Sequence, residues 1–416
     1  MAQYILIENG TLIDGNGGDP IPNAAVLIEG RYIRQVYTGG ARQLPDGDIT
    51  RIDAGGGFIL PGLIDTHVHM AFEIDDFRKI MAMPLSMRFY KATHHMRRTL
   101  DAGITTVRDA GGADVGIKMS IEQGLVSGPR MMVSITALGI TGGHTDGWLP
   151  SGLEMNLFPA YPGMPNGICD GVEEVRKKVR EVLRAGAEVI KVCSTGGVLS
   201  PTDHPEFTQF TVEELRVMVQ EGEYRRGVKV MAHAQGAQGI KNAVLAGIHS
   251  IEHGIYLDDE AIGLMLEHGT YLVPTLLAPL SVVEIGESQG TMPEYGLRKA
   301  RESIEAHRAS IARAYERGVK IAMGTDAGVM PHGTNLRELG LMVDIGMSPM
   351  EVLVATTKTA AECLGWDDRI GTVEAGKLAD VIITRTDPLS DIRSLEDTAN
   401  IVFVMKDGVV EKDIRA

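Results

Sequence analysis

Cysteine is scarce in this chain: Cys169, Cys193 and Cys363 are the only three in 416 residues. They are odd in number, widely spaced and form no C-x-x-C pair, which excludes a disulfide framework. Reduced thiols are expected, and with them a cytoplasmic setting. Basic residues are also in deficit, with 40 Lys and Arg against 55 Asp and Glu and a net charge of −15. That balance excludes a nucleic-acid footprint and attraction to an anionic membrane, and it argues against a polyanionic substrate. No stretch of about 18 apolar residues occurs that would span a bilayer. Residues 1–30 have neither the basic start nor the continuous apolar segment of a secretory signal. Repeats and low-complexity stretches are missing as well. What remains is the composition of an ordinary soluble enzyme, 44% hydrophobic and 23% charged. The length suits one large domain and a smaller one.

The first sixty residues read as short strands, "YILIENGTLI", "AAVLIEGRYIRQVY" and "GGGFILPG", with Asn-Gly and Glu-Gly turns between them. From residue 61 to about 370 the pattern changes to apolar strands followed by amphipathic helices. The strands are "GLIDTHVH", "ITTVRDA", "RMMVSITAL", "EVIKVCS", "KVMAHA", "HSIEHG", "TYLVPTLL" and "KIAMGTDAG". Helical stretches such as "GVEEVRKKVREVLRAG" and "TVEELRVMVQEGEYRRG" end on a glycine. This alternation predicts an α/β fold, a (β/α)₈ TIM barrel over 61–370, with a doubly wound sheet as the runner-up. The β pattern returns in "GTVEAGKLADVIITRTDP" and "NIVFVMKDGVV", so residues 1–60 and 371–416 are expected to form one discontinuous β domain. Gly/Pro-rich insertions at about 139–171 and 279–296 follow strands and are expected on the barrel's active face.

In "PGLIDTHVHM" two histidines stand one residue apart at a strand end, so His67 and His69 share a face. An isolated H-x-H is as readily a hydrogen-bonded pair as a ligand pair. Further strand ends in the same block decide for a metal: Lys191 on the fourth, His233 on the fifth, His253 on the sixth and Asp326 on the eighth. Active sites of this fold lie at the C-terminal ends of the strands. Lys191 stands among Val189, Ile190, Val192 and Cys193, where a charged ammonium is costly and a neutral, nucleophilic amine is favoured. Such an amine can take up CO₂ to become a carbamate. A lysine paired with a buried carboxylate such as Asp326 is the alternative.

The set "PGLIDTHVH", "VIKVCSTGG", "VMAHAQG", "SIEHG" and "GTDAG" resembles the amidohydrolase superfamily, specifically its imidazolonepropionase-like and prolidase-like metal-dependent dipeptidase branch. The resemblance covers nearly the whole chain, including "AGKLADVII", which in the family belongs to a small β-sandwich built from both termini. It implies that His67, His69 and Asp326 hold one divalent metal and His233 and His253 a second. Carboxylated Lys191 and a hydroxide would bridge the two ions, and zinc is the expected metal. Two such cations activate a shared water and polarise the scissile carbonyl, while Asp326 acts on the proton. His144, in "TALGITGGHTDGW", is expected at the substrate or its oxyanion. Gln235 and His332 are further candidate substrate contacts. His204 reads as a solvated loop residue, and His94 and His95 as helical residues without a catalytic part.

The reaction implied is cleavage of a small amide, a dipeptide or N-acyl amino acid with proline or an apolar residue at its C-terminal side. Cyclic amides and xenobiotic aryl amides, carbamates or ureas are the alternative, and a non-catalytic barrel scaffold ranks last. Apolar residues of "GWLPSGLEMNLFPAYPGMPNG" (Trp148, Leu149, Leu153, Leu157, Phe158 and Tyr161) are expected to overhang the metals, and Arg108 to pair with neighbouring Asp109. The partner is thus a small molecule, with neither nucleic acid nor membrane. Assembly into a homo-oligomer is left open.

Overall fold

The computed structural model describes residues 4–155 and 157–415. Strands β1 (Tyr4–Leu12), β2 (Ile21–Glu29), β3 (Tyr32–Tyr37), β4 (Ile49–Asp53) and β5 (Phe58–Pro61) open the chain. Next come β6 (Leu63–Val68), β7 (Ile104–Asp109), β8 (Arg130–Val133), β9 (Ala137–Leu138), β10 (Val189–Cys193), β11 (Lys229–Ala234), β12 (Ser250–His253) and β13 (Tyr271–Val273). Strands β14 (Val381–Thr384), β15 (Ile401–Lys406) and β16 (Val409–Asp413) end it.

Both ends of the chain enter one eight-stranded sheet, in the order β16-β15-β14-β5-β1-β2-β3 with β4 beside β1. The seam is the antiparallel pair β5–β14, from Pro61 opposite Val381 to Phe58 opposite Thr384. Alternation along β1 and β2 divides the apolar side chains between two faces: Ile7, Val26 and Ile28 in one cluster, Leu6, Ala25 and Leu27 in another.

The middle of the chain is α/β with parallel strands, β6-β7-β8 in one sheet and β9 to β13 in another. Every residue of β6, β7, β10 and β12 is buried, so the polar residues among them must find their partners inside the protein. Two of the expected strands take a different form. "RMMVSITAL" divides into β8 and β9 around Ile135, whose φ of 70° breaks the ladder. "KIAMGTDAG" forms no long strand but bridges its neighbours singly, Ile321 to Leu272 and Ala327 to Val68. It is held by Ala322 N–H to Leu272 O (3.0 Å), Thr66 N–H to Met323 O (3.0 Å) and His69 N–H to Ala327 O (2.7 Å).

Helix Gly171–Arg184 buries Val175, Val179 and Val182, one stripe at helical spacing, and Gly186 follows its end at φ 102°. Helix Val212–Glu223 starts on a capping box between Thr211 and Glu214. The insertion at 279–296 is largely helical, since Leu277–Gln289 accepts Pro279 in its first turn, where a missing N–H breaks no helical bond. No helix among the described residues is long and apolar enough to cross a membrane.

Candidate active site

The strand ends named from sequence converge at one point. His67 Nε2 and His69 Nε2 lie 3.4 and 3.2 Å from Asp326 Oδ1, and Lys191 Nζ lies 3.4 Å from His67 Nε2. The His253 ring sits 5.1 Å from the His67 ring and 4.6 Å from that of His233. Ligand atoms of His67, His253 and Asp326 all fall within 4.8 Å of one another, the spacing a metal ion needs. His253, at the end of β12, and Asp326, in the eighth segment, both have positive φ, 75° and 65°. That conformation is strained for non-glycine residues and recurs at functional sites.

Each histidine has one ring nitrogen fixed from behind. His67 Nδ1–H donates to Glu252 Oε2 (2.7 Å), His69 Nδ1–H to Gly111 O (2.8 Å) and His233 Nε2–H to Gly196 O (3.0 Å). His253 Nδ1 pairs with Thr275 Oγ1 at 2.7 Å. A carboxylate or carbonyl can only accept, so the proton of His67, His69 and His233 stays on the fixed nitrogen and the other keeps its lone pair. Burial holds the His67, His233 and His253 pKa values well below the usual imidazole range, which favours the neutral form that binds metal. Burial also lowers Lys191. Burial works against both members of the Asp326–His69 pair; for Asp326 the neighbouring His67 and the His69 contact together outweigh it and lower the carboxyl, and for His69 the Asp326 contact outweighs it and raises the imidazole.

The support behind His67 was not legible in sequence. Arg108 is fully buried and donates to Glu252 Oε1 (2.9 Å), Thr66 O (2.6 Å) and Ser250 Oγ (3.1 Å). It therefore pairs with Glu252 rather than with Asp109, because adjacent residues of a strand point to opposite faces. Asp109 instead accepts the backbone N–H groups of Met70, Gly111 and Ala113, and burial pushes its carboxyl up to about 6. Asp65 plays the matching part on β6. It binds Thr325 Oγ1 (2.6 Å) and Asn335 Nδ2 (2.8 Å), tying the eighth segment in place. A charged residue inside an apolar strand was the available signal, since a buried carboxylate needs partners.

Above this floor opens a cavity of about 180 Å³. Phe72, Leu157, Phe158, Leu199 and Val282 give it apolar walls, and His144, Ser200 and Gln235 add polar groups. The Phe158 ring lies 5.4 Å from the His69 ring and 5.5 Å from that of Phe72. Gln235 Oε1 is buried and has no hydrogen-bond partner among the described residues.

Other expected residues lie elsewhere. His332 does not line the cavity: it is fully buried, stacked on His95 at 4.5 Å, and donates from Nε2 to Phe72 O (3.0 Å). The chain after the eighth segment turns inward under Phe72 rather than out over the cavity. Of the overhanging aromatics and leucines only Leu157 and Phe158 reach the cavity, joined by Met155, while Trp148 and Leu153 point to solvent. His204 is partly exposed on its loop.

The "Amidohydrolase family" model matches residues 58–410, and the chain belongs to that family. It is an enzyme that hydrolyses C–N bonds. Ochratoxinase of Aspergillus niger is 34% identical over 429 residues, covering 99% of this chain and 87% of that protein. A solved Xaa-Pro dipeptidase with methionine bound in its active site is 36% identical at a TM-score of 0.88, covering 98% of this chain and 99% of that one. A prolidase solved with N-methylphosphonate-L-proline is 32% identical at 0.90, covering 99% and 100%.

Proposed function

We propose that the chain is a binuclear metal-dependent amidohydrolase that cleaves small amides, with an apolar group on the leaving amine. One observation carries this reading: imidazole lone pairs, a carboxylate and a buried amine converge at the floor of an apolar cavity, with histidine tautomers set from behind. That donor set fits two divalent cations such as zinc. His67, His69 and Asp326 would hold one and His233 and His253 the other. Bound there, the cations would supply an activated water and polarise the substrate carbonyl.

The remaining work belongs to this chain's own groups. Lys191 Nζ, whose pKa burial lowers, would in its neutral form add CO₂ and release a proton, giving a carbamate that could serve as an anionic ligand to both cations. Asp326 accepts the proton of the attacking water and passes it to the leaving nitrogen. His144 and Gln235 contact the substrate from the cavity wall, and Phe72, Leu157 and Phe158 enclose its apolar part. Lys191 is the only lysine at the cavity and no arginine lines it among the described residues, so at most one substrate carboxylate is expected.

The relatives solved as dipeptidase and prolidase favour a dipeptide ending in proline or another apolar residue. The aromatic pair Phe72–Phe158 favours the second reading, an aryl amide or a related cyclic amide, carbamate or urea. The same proposal takes the parallel strands as a closed eight-fold barrel over 61–370. It takes residues 1–60 and 371–416 as a β-sandwich. A panel of Leu-Pro, its C-terminal amide and a simple anilide, offered to zinc-reconstituted protein, tests the function. Fastest release from the free dipeptide supports the peptidase, and from the anilide the xenobiotic hydrolase. Preference for dipeptides ending in Asp or Glu refutes the specificity argument. Full activity with only trace metal by elemental analysis refutes the metal reading.

A further inference from the structure

The loop after β10 surrounds His144 with groups that the reaction does not otherwise use. Ser200 Oγ stands 2.9 Å from His144 Nδ1, and it also contacts Asp203 Oδ1 and, at 3.3 Å, Gly197 O. Asp203 is buried and receives Gly197 N–H (3.3 Å) on Oδ1 and Gln209 Nε2–H (3.1 Å) on Oδ2. Gln209 Oε1 in turn accepts the His144 backbone N–H at 3.3 Å. Lys299, buried on helix Glu294–Glu316, ties the loop down. Its Nζ donates to Gly197 O (2.9 Å), Ser200 O (2.7 Å) and Asp203 O (2.7 Å), with Asp203 Oδ1 at 3.5 Å.

The proton count on Ser200 is decisive. A hydroxyl has one hydrogen, and both Asp203 and Gly197 O can only accept it. Ser200 Oγ therefore presents a lone pair to His144, so His144 Nδ1 is the protonated nitrogen and Nε2 carries the lone pair. The ring plane is fixed independently. It stacks on His233 at 4.2 Å with 20° between planes, and it rests on Gly197, where a Cβ would fall 2.2 Å from Cε1 and 2.4 Å from Nδ1.

We propose that Ser200 and Asp203, anchored by Lys299, are positioning residues that set the tautomer and plane of His144, so that its Nε2 meets the substrate as a hydrogen-bond acceptor. The substrate atom at that point then carries a donor. This differs from an oxyanion role, which would need a donor from a neutral His144. Gln235 Oε1 at the same cavity, without a hydrogen-bond partner among the described residues, is a second acceptor of the same sense.

The test uses the full chain labelled with ¹⁵N-histidine, reading ring-nitrogen resonances in which protonated and bare nitrogens are well separated. The His144→Gln spectrum identifies the His144 signals. Native protein should show Nδ1–H. Ser200→Ala and Asp203→Asn should both lose that pure pattern while keeping metal content, and kcat on the best amide of the panel should fall at least tenfold with KM changing less. Ser200→Thr, which keeps the hydroxyl, should restore both. An Nε2–H pattern in the native protein, a native pattern retained in both variants, or native kcat in both overturns the proposal. It rests on the reading of the cavity as the reaction site only for the kinetic arm. A native Nδ1–H pattern lost in both variants, in a protein that cleaves no amide, would support the positioning and refute the proposed function.

Discussion

Glu252→Gln alters one atom behind His67 and probes how the proposed metal site is controlled. In the native protein Oε2 accepts His67 Nδ1–H at 2.7 Å, while Oε1 accepts Arg108 (2.9 Å) and Ser250 (2.6 Å). A glutamine has a single oxygen, and the side with two donors, Arg108 and Ser250, claims it. Its NH₂ then faces His67 Nδ1, and two donors cannot share that contact. His67 must move its proton to Nε2, the nitrogen whose lone pair the metal requires. Loss of such an outer partner typically weakens metal affinity about 10- to 100-fold, roughly 1.4 to 2.7 kcal/mol. Stability falls as well, since Arg108 stays buried without its carboxylate. Breaking a buried pair costs about 3–5 kcal/mol, and the retained bonds to Thr66 O and Ser250 Oγ put this case near the lower figure. Zinc affinity by chelator competition and the urea midpoint of the metal-free protein measure the two effects separately. Replacing the pair by Arg108→Met with Glu252→Leu should recover most of the stability but none of the affinity. Native zinc affinity in Glu252→Gln would refute the tautomer argument.

Three further outcomes follow from the same geometry. Asp326→Asn should lower kcat by roughly 10²-fold or more, the scale of general acid–base work, and an unchanged kcat would assign it to structure alone. Lys191→Ala should lose metal and turnover together, and added acetate or formate should restore part of both by filling the gap; full metal retention in the variant would exclude a bridging carbamate. His249 is held neutral, with burial the main cause and its pKa lowered to about 4, while it donates from Nε2 to Cys363 O. A folded pKa below the unfolded 6.5 gives stability that is full above about pH 6.5 and lost as pH falls toward 4, about 2 kcal/mol of it by pH 5. His249→Gln should therefore flatten the fall in urea midpoint between pH 7.5 and 5, and an unchanged slope would show that His249 is not its source.

The strands that carry the histidines were legible because short apolar segments bounded by turn residues lead up to them, as in "GLIDTHVH" and "KVMAHA", and a histidine at the end of such a segment stands out. Parity then placed His67 and His69 on one side. Other features depend on where loops go, which local sequence does not determine. Nothing in "VMPHGTN" distinguishes a His332 turned inward onto His95 from one turned toward substrate. Nothing in the 139–171 insertion selects Phe158 for the cavity and Trp148 for solvent. Ser200, Asp203 and Lys299 meet across about a hundred residues of chain, so no spacing rule could join them. Glu252 was the nearest miss. It stands beside His253 in "SIEHG", and strand parity turns it away from that neighbour and toward His67 and Arg108.

The seam between β5 and β14 sets an order of events for the newborn chain. Its two halves are separated by roughly three hundred residues, and β6 starts two residues beyond β5. On the ribosome, β5 must wait with an unpaired edge while the whole catalytic body is made, because its antiparallel neighbour is synthesised only after it. Such distant pairing is slow to form and exposes strand edges in the interval. Premature termination before residue 381 would leave Ile59 and Leu60, both buried in the finished protein, beside an open edge. Such a fragment would aggregate through this edge even though every residue of the proposed metal site had already been made.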